Sequence, residues 1–149
     1  MNVLAADPVD VDALVNAVSG PGRGAVVSFV GVVRNHHAGR DVLELEYSAY
    51  GSMAERTIRT IVAEAEARWP AAVVVVHRLG RLAIGDVAVA VVAAGGHRGE
   101  AFEACRYAIE EVKQRVPIWK RERYADGSEA WVDPTAPGGF QPIRPEAAS

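Results

Sequence analysis

The sequence predicts an α+β fold with mixed or antiparallel sheets and two main helices. Two observations predict it: runs dense in β-branched residues at 24–34, 72–79 and 87–94, and long amphipathic stripes of helical period at 53–69 and 98–116. Neither an internal repeat nor a linker between two cores is visible, so residues 1–149 read as one domain. Near the start, Val11, Leu14, Val15 and Val18 recur at helical spacing, with Asp10 placed to cap and Gly20-Pro21-Gly22 to stop the helix. Residues 24–34 form a strand in which Gly31 marks a bulge or a close approach. After the loop NHHAGRD, residues 42–50 alternate, with Leu43, Leu45 and Tyr47 on one face and Glu44, Glu46 and Ser48 on the other. The short connection predicts antiparallel pairing with the preceding strand.

The helix at 53–69 carries its stripe at 58, 61, 62, 65 and 69 and ends at Pro70. Residues 72–79 then form a buried strand, 82–84 a short one, and Gly85-Asp86 turns into the strand 87–94. The helix 98–116 builds its core stripe from Ala101, Cys105, Ala108, Ile109, Val112 and Val116, and Pro117 forces the exit. An extended segment at 118–124, an Asp-Gly turn and a returning strand at 129–132 follow. The tail 133–149, with four prolines and Gly138-Gly139, reads as irregular.

Half of the 149 residues are apolar and 23% are charged, the balance of a globular chain with a proper core. A net charge of −3 speaks against general nucleic-acid binding, which needs cations to neutralise phosphates. One cysteine, Cys105, permits neither an internal disulfide nor a cysteine zinc cage. It falls on a core stripe, where an inert thiol is expected. The apolar runs 71–76 and 87–94 are far shorter than the roughly 20 residues of a spanning helix. No basic leader precedes an apolar stretch at the N-terminus, so the expectation is a cytoplasmic protein off the membrane. Histidines 36, 37, 77 and 97 lack metal-pair spacing, and no phosphate-binding glycine motif or nucleophile elbow is present. No metal or cofactor is expected.

Of 16 cationic side chains only two are lysines, Lys113 and Lys120. An amine can lose its proton when desolvated and a guanidinium cannot, so lysine in an arginine-rich chain points to proton chemistry; survival of two surface lysines by chance is the plain alternative. Both fall in KQRVPIWKRER at 113–123, which holds five cations and one acid, Glu122. Such a run is usually a solvated face, but Pro117, Ile118 and Trp119 within it suit a shaped groove better. Gly95-Gly96 precedes His97-Arg98 at a helix N-terminus, where free N–H groups favour anions. Arg34, at the end of a strand, offers a forked donor for a phosphate or carboxylate if that end reaches the same cleft.

FVGVVRNH at 29–36, LEYSAYGSMAE at 45–55, HRLGRLAIGD at 77–86, GHRGEAFEA at 96–104 and VKQRVPIWKRE at 112–122 resemble the large, catalytic subunit of molybdopterin synthase, the MoaE family. The likeness covers about residues 24–132, and the pattern K-x-x-x-P-x-W-K-[RK]-E is its most specific part. The resemblance implies an α/β-hammerhead fold and a homodimer at the centre of a heterotetramer. It also implies a small ubiquitin-like sulfur-carrier partner whose C-terminal Gly-Gly thiocarboxylate enters the pocket. Sulfur would pass to cyclic pyranopterin monophosphate, giving the molybdopterin dithiolene of molybdenum cofactor biosynthesis. By position, Lys113 and Lys120 match the family's active-site lysines. Arg34, His97, Arg98, Arg121 and Glu122 match its substrate-pocket residues, and Phe29 matches a residue beside the partner tail. Two positions depart from the pattern: Val32, where some relatives carry a cation, and Gly96, where a small hydroxyl residue is usual.

On that reading Arg34, His97 and Arg98 clamp the cyclic phosphate, and the lysines steady developing negative charge or pass a proton to a departing oxygen. Packed cations are expected to lower both lysines' pKa values. Glu122 either orients Lys120 or an arginine, or balances charge. The rival reading is a module that binds a ubiquitin-like tail or a phosphorylated small molecule without catalysis. RNA binding through 113–123 is the third, and the net charge opposes it.

Overall fold

The computed structural model describes residues 2–132 and the backbone of the two-residue strand Pro142–Ile143. The chain opens with β1 (Leu4–Ala5) and α1 (Val11–Val18), whose N-terminus is capped by the Asp10 carboxylate accepting from the Ala13 N–H at 3.1 Å. Strand β2 (Ala25–Val32) follows, then β3 (His36–His37), β4 (Arg40–Ala49) and helix α2 (Gly51–Arg68). Strands β5 (Ala71–Arg78), β6 (Gly80–Ala83) and β7 (Val87–Gly95) lead to helix α3 (Arg98–Arg115). Strands β8 (Ile118–Tyr124), β9 (Glu129–Val132) and β10 (Pro142–Ile143) complete the order.

Two sheets result. The first is ordered β1-β5-β7-β2, antiparallel except where β1 runs parallel to β5. Helices α2 and α3 cover one face, enclosing Ile58, Ile61, Val75, Val91 and Ala104; α1 covers the other, with Leu14 and Val18 on Val76, Ala90 and Val92. Burial on both faces explains why 87–94 is apolar without alternation. The second sheet is ordered β10-β9-β8-β4-β3, with β6 also paired to β4. Beyond the Pro142–Ile143 pairing with β9, the expected irregular tail at 133–149 lies outside the described residues.

Two expectations need correction. The strand at 42–50 does not pair with 24–34: β2 pairs with β7, and β4 pairs with β3, β6 and β8. The register of β2 shifts between Gly31 and Val32, and Val33 then exchanges backbone bonds with Asp86 and Gly85. The chain thereby leaves the first sheet. Its short connection is used up by a tight hairpin of its own, His37↔Arg40 across Ala38 and Gly39, both at positive φ. At Gly31 itself a Cβ would stand 2.8 Å from Val89 Cγ1, so that position demands glycine for the expected close approach. The second correction is Leu43, which is 48% exposed while Val42 is buried. The β4–β8 register shifts between Val42 and Glu44, and one extra residue reverses the facing of its neighbours.

Candidate active site

The second sheet, the exit of β2 and the C-terminal turn of α3 enclose a cavity of about 310 Å³. Its polar lining is Arg34, His36, His37, Tyr47, Lys113, Lys120 and Glu122. The local sequence dictates each position. Pro117 ends α3 and starts β8, so Lys113 lies on the last helical turn and Lys120 on the adjoining strand. Strand alternation turns Lys120, Glu122 and Tyr124 to one face of β8 and Arg121 and Arg123 to the other. Register then sets Lys120 opposite Tyr47 and Glu122 opposite Leu45.

Glu122 is fully buried, and one oxygen organises the cluster: its Oε1 contacts His37 Nδ1 and lies 3.3 Å from Lys120 Nζ. The second oxygen, Oε2, has no hydrogen-bond partner within the protein among the described residues. Lys113 keeps solvent access at the cavity mouth, yet protein packs closely around its amine. Lost hydration there, followed by the Lys120 and Arg34 charges, holds its pKa below the ordinary lysine value. Tyr47 is pushed up to about 12, by burial first and by the Glu122 charge second, so its phenol stays protonated.

Behind this cavity lies a smaller one, about 40 Å³, walled by Val89, Val112, Val116 and Ile118 and reached by Tyr47, His77, Lys113 and Lys120. His77 is buried at 6% exposure. Its Nδ1 is 2.8 Å from the Arg78 carbonyl oxygen, which can only accept, so Nδ1 carries the hydrogen and donates. Burial, with the Lys113 charge adding to it, lowers the His77 pKa to about 4. The unfolded chain therefore binds this proton between about pH 6.5 and pH 4 while the folded chain does not. Stability is expected to fall as pH drops through that window, by about 3 kcal/mol at its foot. Urea unfolding at pH 7 and pH 4.5 checks this; in His77→Gln that part of the pH slope should vanish.

The remaining candidates sit elsewhere. Arg121 faces away from the cavity and pairs with Glu46 at 3.3 Å and Glu129 at 3.8 Å. Phe29 is 37% exposed on the edge strand β2, outside the cavity lining. His97 and Arg98 are exposed at the opposite end of α3, about 22 Å of helix from Lys113. The expected open N–H groups there are partly taken: Glu100 Oε1 accepts from the His97 N–H at 2.7 Å. Cys105 is buried, 3.7 Å from the Val91 carbonyl, as its core position implies. Sequence spacing does not single out His37, Tyr47 or His77 as site residues. The one usable signal is a histidine closing the run AAVVVVH, since a polar ring in a buried strand must find partners. Among the described residues no group of His, Cys, Asp and Glu is arranged to hold a metal, and no helix is long and apolar enough to cross a membrane.

Comparison with known proteins bears on the family and the fold. The chain is 49% identical over 126 residues to molybdopterin synthase catalytic subunit 1 of Mycobacterium tuberculosis, covering 84% of this chain and 85% of that protein. The crystal structure of molybdopterin synthase from Staphylococcus aureus superposes with a TM-score of 0.83 at 37% identity, over 87% of this chain and 95% of the other. A chain from the complex of subunits 1 and 2 of molybdopterin-converting factor from Helicobacter pylori shares the fold, with a TM-score of 0.70 over 85% of this chain and 86% of the other. At 23% identity it speaks to fold alone. The family profile described as MoaE protein matches residues 4–115, and on these grounds the chain belongs to the MoaE family.

Proposed function

We propose that this chain is the catalytic subunit of a molybdopterin synthase and transfers sulfur from the C-terminal thiocarboxylate of a small ubiquitin-like partner to cyclic pyranopterin monophosphate. The observation that carries the reading is the meeting of Lys113 and Lys120, the chain's two lysines, on one cavity with Arg34 and the buried Glu122. In this arrangement Lys120, paired with Glu122, presents a fixed ammonium to the negative charge that develops on oxygen as sulfur is exchanged. Lys113 has its amine favoured by its surroundings and serves as the group that exchanges a proton with the departing oxygen. Arg34 holds the phosphate with its forked donors.

The roles proposed for His97 and Arg98 require a homodimer. Within one protomer about 22 Å of α3 separates them from Lys113, so a second copy would bring its own His97 and Arg98 to the phosphate. Two such sites, each with its sulfur-carrier partner threaded past Phe29, make a heterotetramer. Arg121 would meet substrate only from its own face of β8. The proposed compartment is the cytoplasm.

Reconstitution tests the reading. The purified chain, thiocarboxylated partner and cyclic pyranopterin monophosphate are mixed and molybdopterin is measured. The Lys113→Ala, Lys120→Ala double variant is expected to yield none above background, and an unchanged yield would leave only the non-catalytic binding module.

A further inference from the structure

We infer that His77 is a positioning residue for Lys113, acting through one water held in the small chamber behind the active-site cavity. This rests on the reading of Lys113 as a reacting group. The His77 ring is oriented from both sides: Nδ1 is spent on the Arg78 carbonyl at 2.8 Å, and Tyr47 meets the ring edge-on at a centroid distance of 4.9 Å. The nitrogen left over, Nε2, bears a lone pair and belongs to a residue that lines the chamber with Lys113 and Lys120. At about 40 Å³ the chamber has room for an ordered water.

Such a water needs two to four polar partners, and the walls offer suitable ones: the Tyr47 hydroxyl, His77 Nε2 and the two lysine amines. Among these, only the imidazole nitrogen is an acceptor with no proton to give. The water therefore donates to His77 and, through its own lone pairs, accepts from the Lys113 ammonium. Removing the imidazole acceptor leaves the water turned differently and the ammonium less well solvated. The charged and titratable groups around Lys113 come from every packed element: Arg34 after β2, His36 and His37 on β3, Tyr47 on β4, His77 on β5, and Lys120 and Glu122 on β8. The sole carboxylate among them, Glu122, is already shared by His37 and Lys120 through Oε1. Lys113 thus has no carboxylate of its own on the chamber side, and His77 is the neutral acceptor there with a fixed orientation.

The two lysines make a direct test possible, because ¹⁵N-lysine labelling of the full chain yields only two side-chain amine signals. Their titrations are followed by NMR in wild type, His77→Phe, His77→Gln and Tyr47→Phe, without partner or substrate. His77→Phe keeps a ring and removes the acceptor, so the Lys113 midpoint should fall by about one pH unit, giving about tenfold more free amine at fixed pH. His77→Gln restores an acceptor near Nε2 and should return most of that shift. Tyr47→Phe, which keeps the ring packing and removes one water partner, should lower the Lys113 midpoint by a smaller step. Lys120, held by Glu122, should move least throughout. An unmoved Lys113 in His77→Phe, or equal shifts in the Phe and Gln variants, would overturn the inference. If His77→Phe does not fold, Tyr47→Phe and His77→Gln decide: no change in the first together with a full shift in the second also overturns it. These titrations need no turnover, so they fail independently of the sulfur-transfer assignment, which the reconstituted reaction judges.

Discussion

Lys113→Arg is expected to lower molybdopterin formation by about 10²–10⁴-fold, the usual span for loss of a positioned acid–base group, while substrate binding stays largely intact. The argument is chemical. Guanidinium preserves the positive charge beside Arg34 and Lys120 but cannot give up a proton at neutral pH. It is also wider than an ammonium, and the chamber behind Lys113 measures only about 40 Å³. Lys120→Arg should lose activity too, but its Glu122 partner still finds a cation to pair with, so more of the electrostatic role survives. Single-turnover assays with saturating partner separate the two effects, because a binding defect would disappear at saturation and a chemical one would not. Wild-type rates for both Arg variants would show that the cations act as charges alone.

Glu122→Ala is expected to cost about 3–5 kcal/mol of stability, the range found when one member of a buried charged cluster is removed. The carboxylate is fully buried, and Lys120 and His37 both rely on its Oε1. Without it, two cation-forming groups face a cavity that already contains Arg34 and Lys113. Glu122→Gln keeps the shape and one acceptor oxygen, and should cost less. Urea denaturation at pH 7 measures both. A loss below about 0.5 kcal/mol for the alanine variant, the size of an ordinary surface change, would mean the cluster contributes nothing to the fold.

Much of this was legible before folding was considered. Pro70 and Pro117 end α2 and α3 where the sequence marks them, because proline denies the next turn its N–H. The apolar run 87–94 announces a strand buried on both faces. Pairing partners were less legible. The 24–34 and 42–50 strands look like neighbours because hairpins are local, yet the loop between them folds on itself and sends the chain to a second sheet. Nothing in spacing reveals the register shift between Val42 and Glu44, so simple alternation puts Leu43 on the wrong face. The site divides in the same way. Lys113 and Lys120 stand out by rarity and by their nearness to Pro117, whereas Tyr47 and His77 join them through β4–β8 and β5–β7 pairing, contacts that span tens of residues. Arg121 shares the basic run with Lys120 but not its direction, since adjacent residues on a strand point apart.

Placing both lysine amines at one cleft leaves amine-directed electrophiles no other lysine on the rest of the surface. Acylating agents, cyanate or aldehydes, which on most proteins scatter over a dozen harmless lysines, would find besides the α-amine only the two amines to which the proposed chemistry is assigned. For this chain, storage in aged urea or coupling to an amine-reactive resin amounts to modification of the proposed active site.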